Sequence, residues 1–393
     1  MKILIVVPVL APLYGGPSKV VPELSEAIGE QGVRVDIITT NANGSTTLDV
    51  PLLTWIQEKN YRIQYFPQWN FFGYQLTWSL TKWLFRNVSK YDIVHTHTIF
   101  CYPVLPAYWA CQIRKIPYIT TPHGMLEPWA LAYKSAKKKL YFSLLEKPAL
   151  ERASAMQMLA LSEAQGVKSL NLKTPLVIVP NGIHRRDFAS LPSPEIFYQQ
   201  FPATRSKTLI IFLGRIDPKK GLDLLAPAFA QAVKKFPDAH LIVAGPDNMG
   251  FLPTAESYFI KAGCRDGVTF TGILTGTLKY AALAAADIYV APSYSEGFSM
   301  SVLEGMATGL PCVITTGCNF PEAGKAKAAS IVDIDADKIA DTLIQLLQDP
   351  IAAQEMGDAA REFIFNNYTW DSVAAKMVGI YKDILGYDKP HGG

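Results

Sequence analysis

One pattern constrains the fold more than any other, and it runs through the chain twice. Short β-branched runs alternate with stretches of helical periodicity. Each half opens in the same order: a strand, a glycine-containing loop, a helix. In the first half, residues 3–9, 34–40, 63–66, 93–96, 118–122, 155–159 and 176–179 read as strands. Helical stretches lie between many of them. In residues 19–31, for example, Val20, Val21, Leu24, Ala27 and Ile28 recur at helical spacing. In the second half the strands are 208–213, 240–244, 268–271, 288–291, 311–315 and 329–332, with a helix over 222–236. Apolar strands alternating with helices call for a parallel sheet covered on both faces, a doubly wound α/β domain. Two openings of one shape imply two Rossmann-like domains in succession.

A length of 393 residues suits two domains. The expected division is a first domain over 1–185, a linker over 186–205 and a second domain over 206–367. An amphipathic helix and tail over 368–393 is expected to pack back on the first domain. The linker is placed by polarity and by Pro192, Pro194 and Pro202. With 49% hydrophobic and 18% charged residues, the chain can fill two cores. No apolar run is long enough to cross a bilayer; the longest, 99–111, carries Pro103 and Pro106. Residues 1–8 read as a buried first strand rather than a leader, because the β-branched run breaks at Pro8 with Gly15 and Gly16 beyond. The five cysteines are scattered and form no CxxC pair. They suit a reducing cytoplasm and argue against disulfides or a zinc site. The net charge of +3 is uneven: residues 1–190 carry an excess of +8 and residues 191–393 of −5. A basic first half suits an anionic acceptor or membrane surface, or else reflects chance distribution of surface charge.

Glu296 and Glu304 enclose seven residues. The strand at 288–291 precedes them, and a helix ending near Gly309 contains Glu304. Glu296 therefore sits in a strand-to-helix turn. The small residues between the two acids leave backbone N–H groups pointing outward at a helix N-terminus, a ready phosphate site. Two carboxylates beside a phosphate would repel it unless they face hydroxyl pairs. A diphosphate with hydroxyls on both sides is a nucleotide sugar. Taken alone, the pair could equally be acids complementing the helix dipole.

Residues 214–221 (Gly-Arg-Ile-Asp-Pro-Lys-Lys-Gly) follow a strand and open a helix. Arg215 as a fork and Lys220 as a point charge could both reach a diphosphate at the sheet edge. This loop and the Glu296 turn lie at carboxyl ends of strands in one inferred sheet, where open α/β folds bind ligands.

With these residues in place the chain resembles the retaining glycosyltransferases of family 4 (group 1), which have the GT-B fold. The matching elements are Gly15 and Gly16 after the first strand, His123 and Gly124 after the strand at 118–122, and 180–183 (Pro-Asn-Gly-Ile). In the second half they are Gly214, Arg215, Lys220 and Gly221, then 270–272 (Phe-Thr-Gly), and Glu296 with Glu304. The resemblance spans about residues 1–385. It implies two Rossmann-like domains facing each other across a cleft. It also implies a retaining hexosyltransferase that moves a sugar from a nucleoside-diphosphate donor, UDP-glucose favoured, to a glycan or lipid-linked acceptor in polysaccharide biosynthesis.

The roles it implies follow residue by residue. Arg215 and Lys220 bind the diphosphate and stabilise the leaving group. Glu296 holds sugar hydroxyls and Glu304 ribose hydroxyls. The backbone of Gly297, Phe298, Ser299 and Met300 meets phosphate and sugar, and that of Ile273 and Leu274 meets the base. Gly16 admits the phosphates, and His123 reaches the donor sugar. Gly15, His97 and Trp129 fall on the acceptor side. Retention implies front-face attack through an oxocarbenium-like state. No cofactor, metal or nucleic-acid partner is implied. Pro17 and Ser299 depart from the family pattern, where smaller residues are common. The rivals are a nucleotide-sugar 2-epimerase and a sugar-nucleotide-binding protein without turnover.

Two further features carry alternatives. His95 and His97 have the spacing of a metal pair, but no third ligand is evident nearby, and lining the acceptor cleft is the better use of His97. The aromatic stretch from Trp69 to Arg86, with Lys134, Lys137, Lys138 and Lys139, suits docking at an anionic membrane or lipid-linked acceptor. The alternative, which core statistics favour, makes Leu76, Leu80, Trp83 and Leu84 the core face of a helix and the lysines a solvated surface. The expected location is the cytoplasm, with peripheral attachment to the inner membrane face left open.

Overall fold

The computed structural model describes residues 1–71, 74–126 and 140–387. Trp129 and the lysines at 134, 137, 138 and 139 lie outside the described residues, as do Phe72 and Gly73. The chain forms two compact units: Met1–Gly182 with Trp370–Gly393, and Ile183–Thr369.

The first unit is built on an eight-stranded sheet. Its order is Leu176–Ile178, Ala155–Met158, Tyr118–Thr121, Ile93–His97, Lys2–Val9, Arg34–Thr40, Tyr61–Phe66 and Trp55–Gln57. All pairings are parallel except the last, where Trp55–Gln57 turns back along Tyr61–Phe66. The central strands are buried on both faces, which is why they read as unbroken apolar runs: Ile3, Leu4, Ile5, Val6 and Val7 are fully buried. The order reverses between Lys2–Val9 and Ile93–His97, so this pair of strands is the switch point, where the crossovers diverge and leave a crevice at the carboxyl ends.

The Trp78–Asn87 helix turns part of the aromatic stretch into the core. Leu80 and Leu84 are fully buried. Trp83 packs edge-on against Trp55 and Phe66. Trp69 and Trp78 remain exposed. The C-terminal helix, Trp370–Leu385, belongs to this unit: it packs on the Gly16–Glu30 helix, and Trp370 Nε1 donates to Glu23 at 2.9 Å.

The second unit has a six-stranded, all-parallel sheet in the order Val268–Gly272, Ala239–Ala244, Thr208–Leu213, Ile288–Ala291, Cys312–Thr315 and Ser330–Val332. Its switch point lies between Thr208–Leu213 and Ile288–Ala291. Helices on both faces bury one core cluster around Leu209, Ile211 and Tyr289 and another around Ile210, Phe212 and Phe229.

The segment expected as a linker, 186–205, is instead part of this unit. Phe188 and Phe197 bury in its core, and Glu195–Gln200 is a short helix. The prolines and polar residues that suggested a linker lie around these two anchors. Among the described residues, no helix is long and apolar enough to cross a membrane.

Candidate active site

In the second unit, Lys220 and Glu296 meet at the switch point. Thr208–Leu213 runs into the loop at Gly214. There the Asp217 carboxylate accepts from the Lys219 N–H at 3.0 Å and caps a single 3-10 turn, Pro218–Lys220. Gly221 then takes φ +72° before the Leu222–Lys235 helix begins. A Cβ at Gly221 would stand 1.9 Å from the Pro292 carbonyl oxygen, so this loop touches the backbone leaving the neighbouring strand. Gly221→Ala should therefore lower stability by about 2 kcal/mol or more, combining backbone strain with a forced displacement. The check is a melting curve, on which an unchanged midpoint would show that the two loops are not locked together.

Across the switch point, Ile288–Ala291 leads to the Glu296 turn. Lys220 Nζ donates to Glu296 Oε1 at 2.5 Å, and Ser293 Oγ donates to the same oxygen at 2.7 Å. The Lys220 and Glu296 side chains are both 11% exposed. Burial alone would raise the Glu296 carboxyl. The Lys220 charge and hydrogen bond, the Ser293 hydroxyl and the Lys219 charge more than offset it and hold the group below its ordinary value. Burial lowers Lys219, with Lys220 and Arg215 adding to the effect against the pull of Glu296. Arg215 stays half in solvent, 3.9 Å from Asp217.

The turn is pinned from behind. The Glu296 N–H donates to the Gly317 carbonyl at 2.8 Å, and Asn319 Nδ2 donates to the Glu296 carbonyl at 2.6 Å. Gly297 follows, and the Phe298 ring stacks on Tyr368 and meets Phe320 edge-on. Ser299 is the N-cap of the Met300–Thr308 helix in extended backbone, a conformation that needs no glycine. Its hydroxyl pairs with Ser301 Oγ at 3.1 Å rather than capping the first turn. Helix-start N–H groups of this kind suit an anion.

Glu304 is buried one turn into that helix and accepts from Lys279 Nζ at 2.9 Å. Lys279 lies on the Gly276–Ala285 helix, which follows the loop of Ile273 and Leu274. Ile273 is 60% exposed and Leu274 is buried. Ser293, Asn319 and Lys279 carry no functional signal in the sequence. Nothing local marks them; each matters through a partner distant in the chain or across a turn.

In the first unit the candidates again sit at strand carboxyl ends. Gly15 has φ +80° and ψ −137°, open in practice only to glycine, and precedes the Gly16–Glu30 helix. A Cβ at Gly16 would meet nothing within 4 Å, so packing within the described structure does not require glycine there. Pro17 falls in the first turn of this helix, where its missing N–H breaks no intrahelical bond.

His123, half-buried with φ +53°, and Gly124, φ +75°, form the turn after Tyr118–Thr121. Buried Glu163 clamps that turn to the next strand, accepting from the Gly124 and Leu159 N–H groups at 2.6 Å each. As an acid in the first turn of the Leu161–Lys168 helix, Glu163 was visible as a helix-start signal but not as a clamp.

His97 is 1% exposed. It lies behind His123, with Nδ1 3.0 Å from His123 Nε2, rather than lining a cleft as expected. His95 stacks on it with centroids 4.3 Å apart. The hydrogen bonds of His95 can be traced from a fixed end. Gln157 Nε2 donates to the Val179 carbonyl, so Gln157 Oε1 accepts from Thr121 Oγ1. Thr121 Oγ1 must then accept from His95 Nε2, leaving Nδ1 to accept from the Tyr381 hydroxyl, each at 2.7 Å. Both ring nitrogens of His95 are thus occupied, which leaves that ring no lone pair for a metal. Burial lowers His95 to about 3 and His123 to about 4, and holds His97 well below its ordinary value. All three rings are neutral near pH 7.

Family models match both units. Residues 195–363 match the Glycosyl transferases group 1, and residues 14–186 match Glycosyltransferase Family 4. The chain belongs to this family of glycosyltransferases, and its fold is GT-B. An uncharacterised glycosyltransferase of Methanocaldococcus jannaschii is 25% identical over 383 residues, 91% of this chain and 92% of that protein. A GDP-mannose-dependent alpha-(1-6)-phosphatidylinositol monomannoside mannosyltransferase of Mycobacterium tuberculosis is 28% identical over 211 residues, 51% of this chain and 54% of its own length. Among solved structures, Anabaena HepE in complex with UDP and glucose aligns with a TM-score of 0.75 at 16% identity, over 98% of this chain and all of that one. At that identity the likeness bears on the fold.

Proposed function

We propose that the protein transfers a hexose, with retention, from a nucleoside-diphosphate sugar to a glycan or lipid-linked acceptor, and that UDP-glucose is the donor. The observation that carries this reading is the Lys220–Glu296 pair at the switch point of the second sheet. A cation there meets the diphosphate, and a carboxylate beside it meets sugar hydroxyls. The neighbouring elements support the same layout. The loop of Ile273 and Leu274 takes the base, and Glu304, tied to the helix after that loop by Lys279, takes the ribose. Arg215 and Lys220 take the diphosphate, and Glu296 takes the sugar. In the first unit, Gly16 and His123 are assigned to the donor, and Gly15, His97 and Trp129 to the acceptor side.

The chemistry follows from charge. As the sugar–phosphate bond breaks, negative charge grows on the departing diphosphate, and two positioned cations offset it without a divalent ion. The acceptor hydroxyl attacks from the same face, and the departing phosphate oxygen takes its proton. Turnover should therefore persist in EDTA. Loss of activity in EDTA, restored by Mg²⁺ or Mn²⁺, would overturn this part of the reading.

The donor has a competitor, since the mycobacterial relative is GDP-mannose-dependent. Thermal-shift screening against UDP-, GDP- and ADP-sugars separates them, because a ligand that binds the native state at 100 times its Kd stabilises by about 2.7 kcal/mol. A shift with GDP-mannose and none with UDP-glucose would reassign the donor. Product formation from the selected donor with a glycan acceptor would exclude both an epimerase and a binding protein without turnover.

A further inference from the structure

His97 and His123 share one hydrogen bond, Nδ1 to Nε2 at 3.0 Å, and one of them must donate it. If His123 donated from Nε2, a neutral His97 would carry its proton on its own Nε2. That atom is buried and has no hydrogen-bond partner among the described residues. A buried N–H without an acceptor is rare in folded proteins, and a bare acceptor is tolerated more often. If His97 donates from Nδ1 instead, its buried Nε2 is a lone pair and no N–H is stranded. His95, stacked on His97 and held at both nitrogens by Tyr381 and Thr121, fixes the plane of the His97 ring.

We infer that His97 is a positioning residue that sets the tautomer of His123: it donates from Nδ1 to His123 Nε2, so His123 carries its proton on Nδ1. Free imidazole side chains prefer the proton on Nε2, so this hydrogen bond imposes the less common tautomer. His123 is only half-buried, and with Nε2 engaged by His97 its Nδ1–H is the edge that remains to meet a ligand. In this state His123 donates a hydrogen bond to a sugar hydroxyl or phosphate oxygen. It cannot take a proton there, so the departing phosphate remains the base. The consequence for catalysis rests on the proposed role of His123 at the donor; the tautomer does not.

The test uses the full chain labelled with ¹⁵N at histidine. There are six histidines, few enough to assign by single substitutions. Long-range ¹H–¹⁵N spectra near pH 7.5 should show His123 with Nε2 unprotonated and Nδ1 protonated. In His97→Phe, which keeps the ring but loses the donor, His123 should move to the Nε2–H form or a mixture. In His97→Asn, whose amide N–H can replace Nδ1–H, the wild-type pattern should return. kcat should fall about ten- to a hundredfold in His97→Phe and stay within about threefold in His97→Asn. Nε2–H on His123 in the wild type overturns the inference, as does an unchanged tautomer in folded His97→Phe. If His97→Phe does not fold, the wild-type spectrum still decides the direction of the bond. Normal turnover in His123→Ala would instead remove His123 from the donor site while the spectra continued to decide the tautomer.

Discussion

Lys220→Ala should lower kcat by about two orders of magnitude or more, and Arg215→Ala should do the same. In the proposed assignment both cations act chiefly on charge that develops as the diphosphate leaves, so their loss falls on the transition state more than on binding. The two variants differ in their effect on the fold. Lys220 is paired with Glu296 in a site only 11% exposed. Truncating it strands a buried carboxylate, which can cost about 3–5 kcal/mol, although Lys219 nearby offsets part of that. Arg215 is 45% exposed and only loosely set against Asp217, so its removal should change stability by less than about 0.5 kcal/mol. A double variant, Lys220→Met with Glu296→Gln, removes both charges and should recover stability without recovering turnover. Near-normal kcat in folded Lys220→Ala and Arg215→Ala would remove both residues from the chemistry.

The sheets were legible in the sequence because their central strands are buried on both faces. A run such as Ile3 to Val7 has no polar face to obscure it. The edges were not legible. Trp55–Gln57 pairs antiparallel at the rim, and three residues, none of them buried, are too few to read as a strand. The segment at 186–205 misled because three prolines and many polar residues surround two buried phenylalanines, and composition averages such anchors away. The site divides in the same manner. Charged residues in a glycine-bounded loop after a strand announce themselves, so Arg215 and Lys220 stand out as candidates, and Glu296 does so in a strand-to-helix turn. Their pairing does not: Lys220 and Glu296 are 76 positions apart, and His95 meets Tyr381 across 286. His97 was misjudged for a related reason. Alternation gives the face of a strand on which a side chain lies, but not the depth at which the next layer covers it.

Glu304→Ala should weaken binding of free UDP by about tenfold, through lost hydrogen bonds to the ribose, whereas Glu296→Ala should leave UDP affinity unchanged or improve it. The two carboxylates are held by different cations on different elements. Lys220, in the loop after Thr208–Leu213, holds Glu296, and Lys279, on the helix after the proposed base-binding loop, holds Glu304. Glu296 lies in the turn before the Met300–Thr308 helix and Glu304 one turn inside it, so each acid is set by a different stretch of backbone. Removing Glu296 frees the Lys220 ammonium from its ion pair, so a diphosphate no longer competes with a carboxylate for that cation. The same substitution takes away the acceptor for sugar hydroxyls, so the nucleotide sugar should bind more weakly than in the wild type and transfer should slow. Calorimetry with UDP and UDP-glucose on both variants measures the four affinities directly. If the thermal-shift screen selects another donor, its nucleotide and sugar nucleotide take their place. The decisive quantity is the difference between the two ligands within each variant. For Glu304→Ala the losses should match, because the ribose is common to both. For Glu296→Ala only the sugar nucleotide should lose affinity. Equal loss of UDP affinity in the two variants would show that both carboxylates serve the same end of the ligand, and the division of the site between ribose and sugar would then fail.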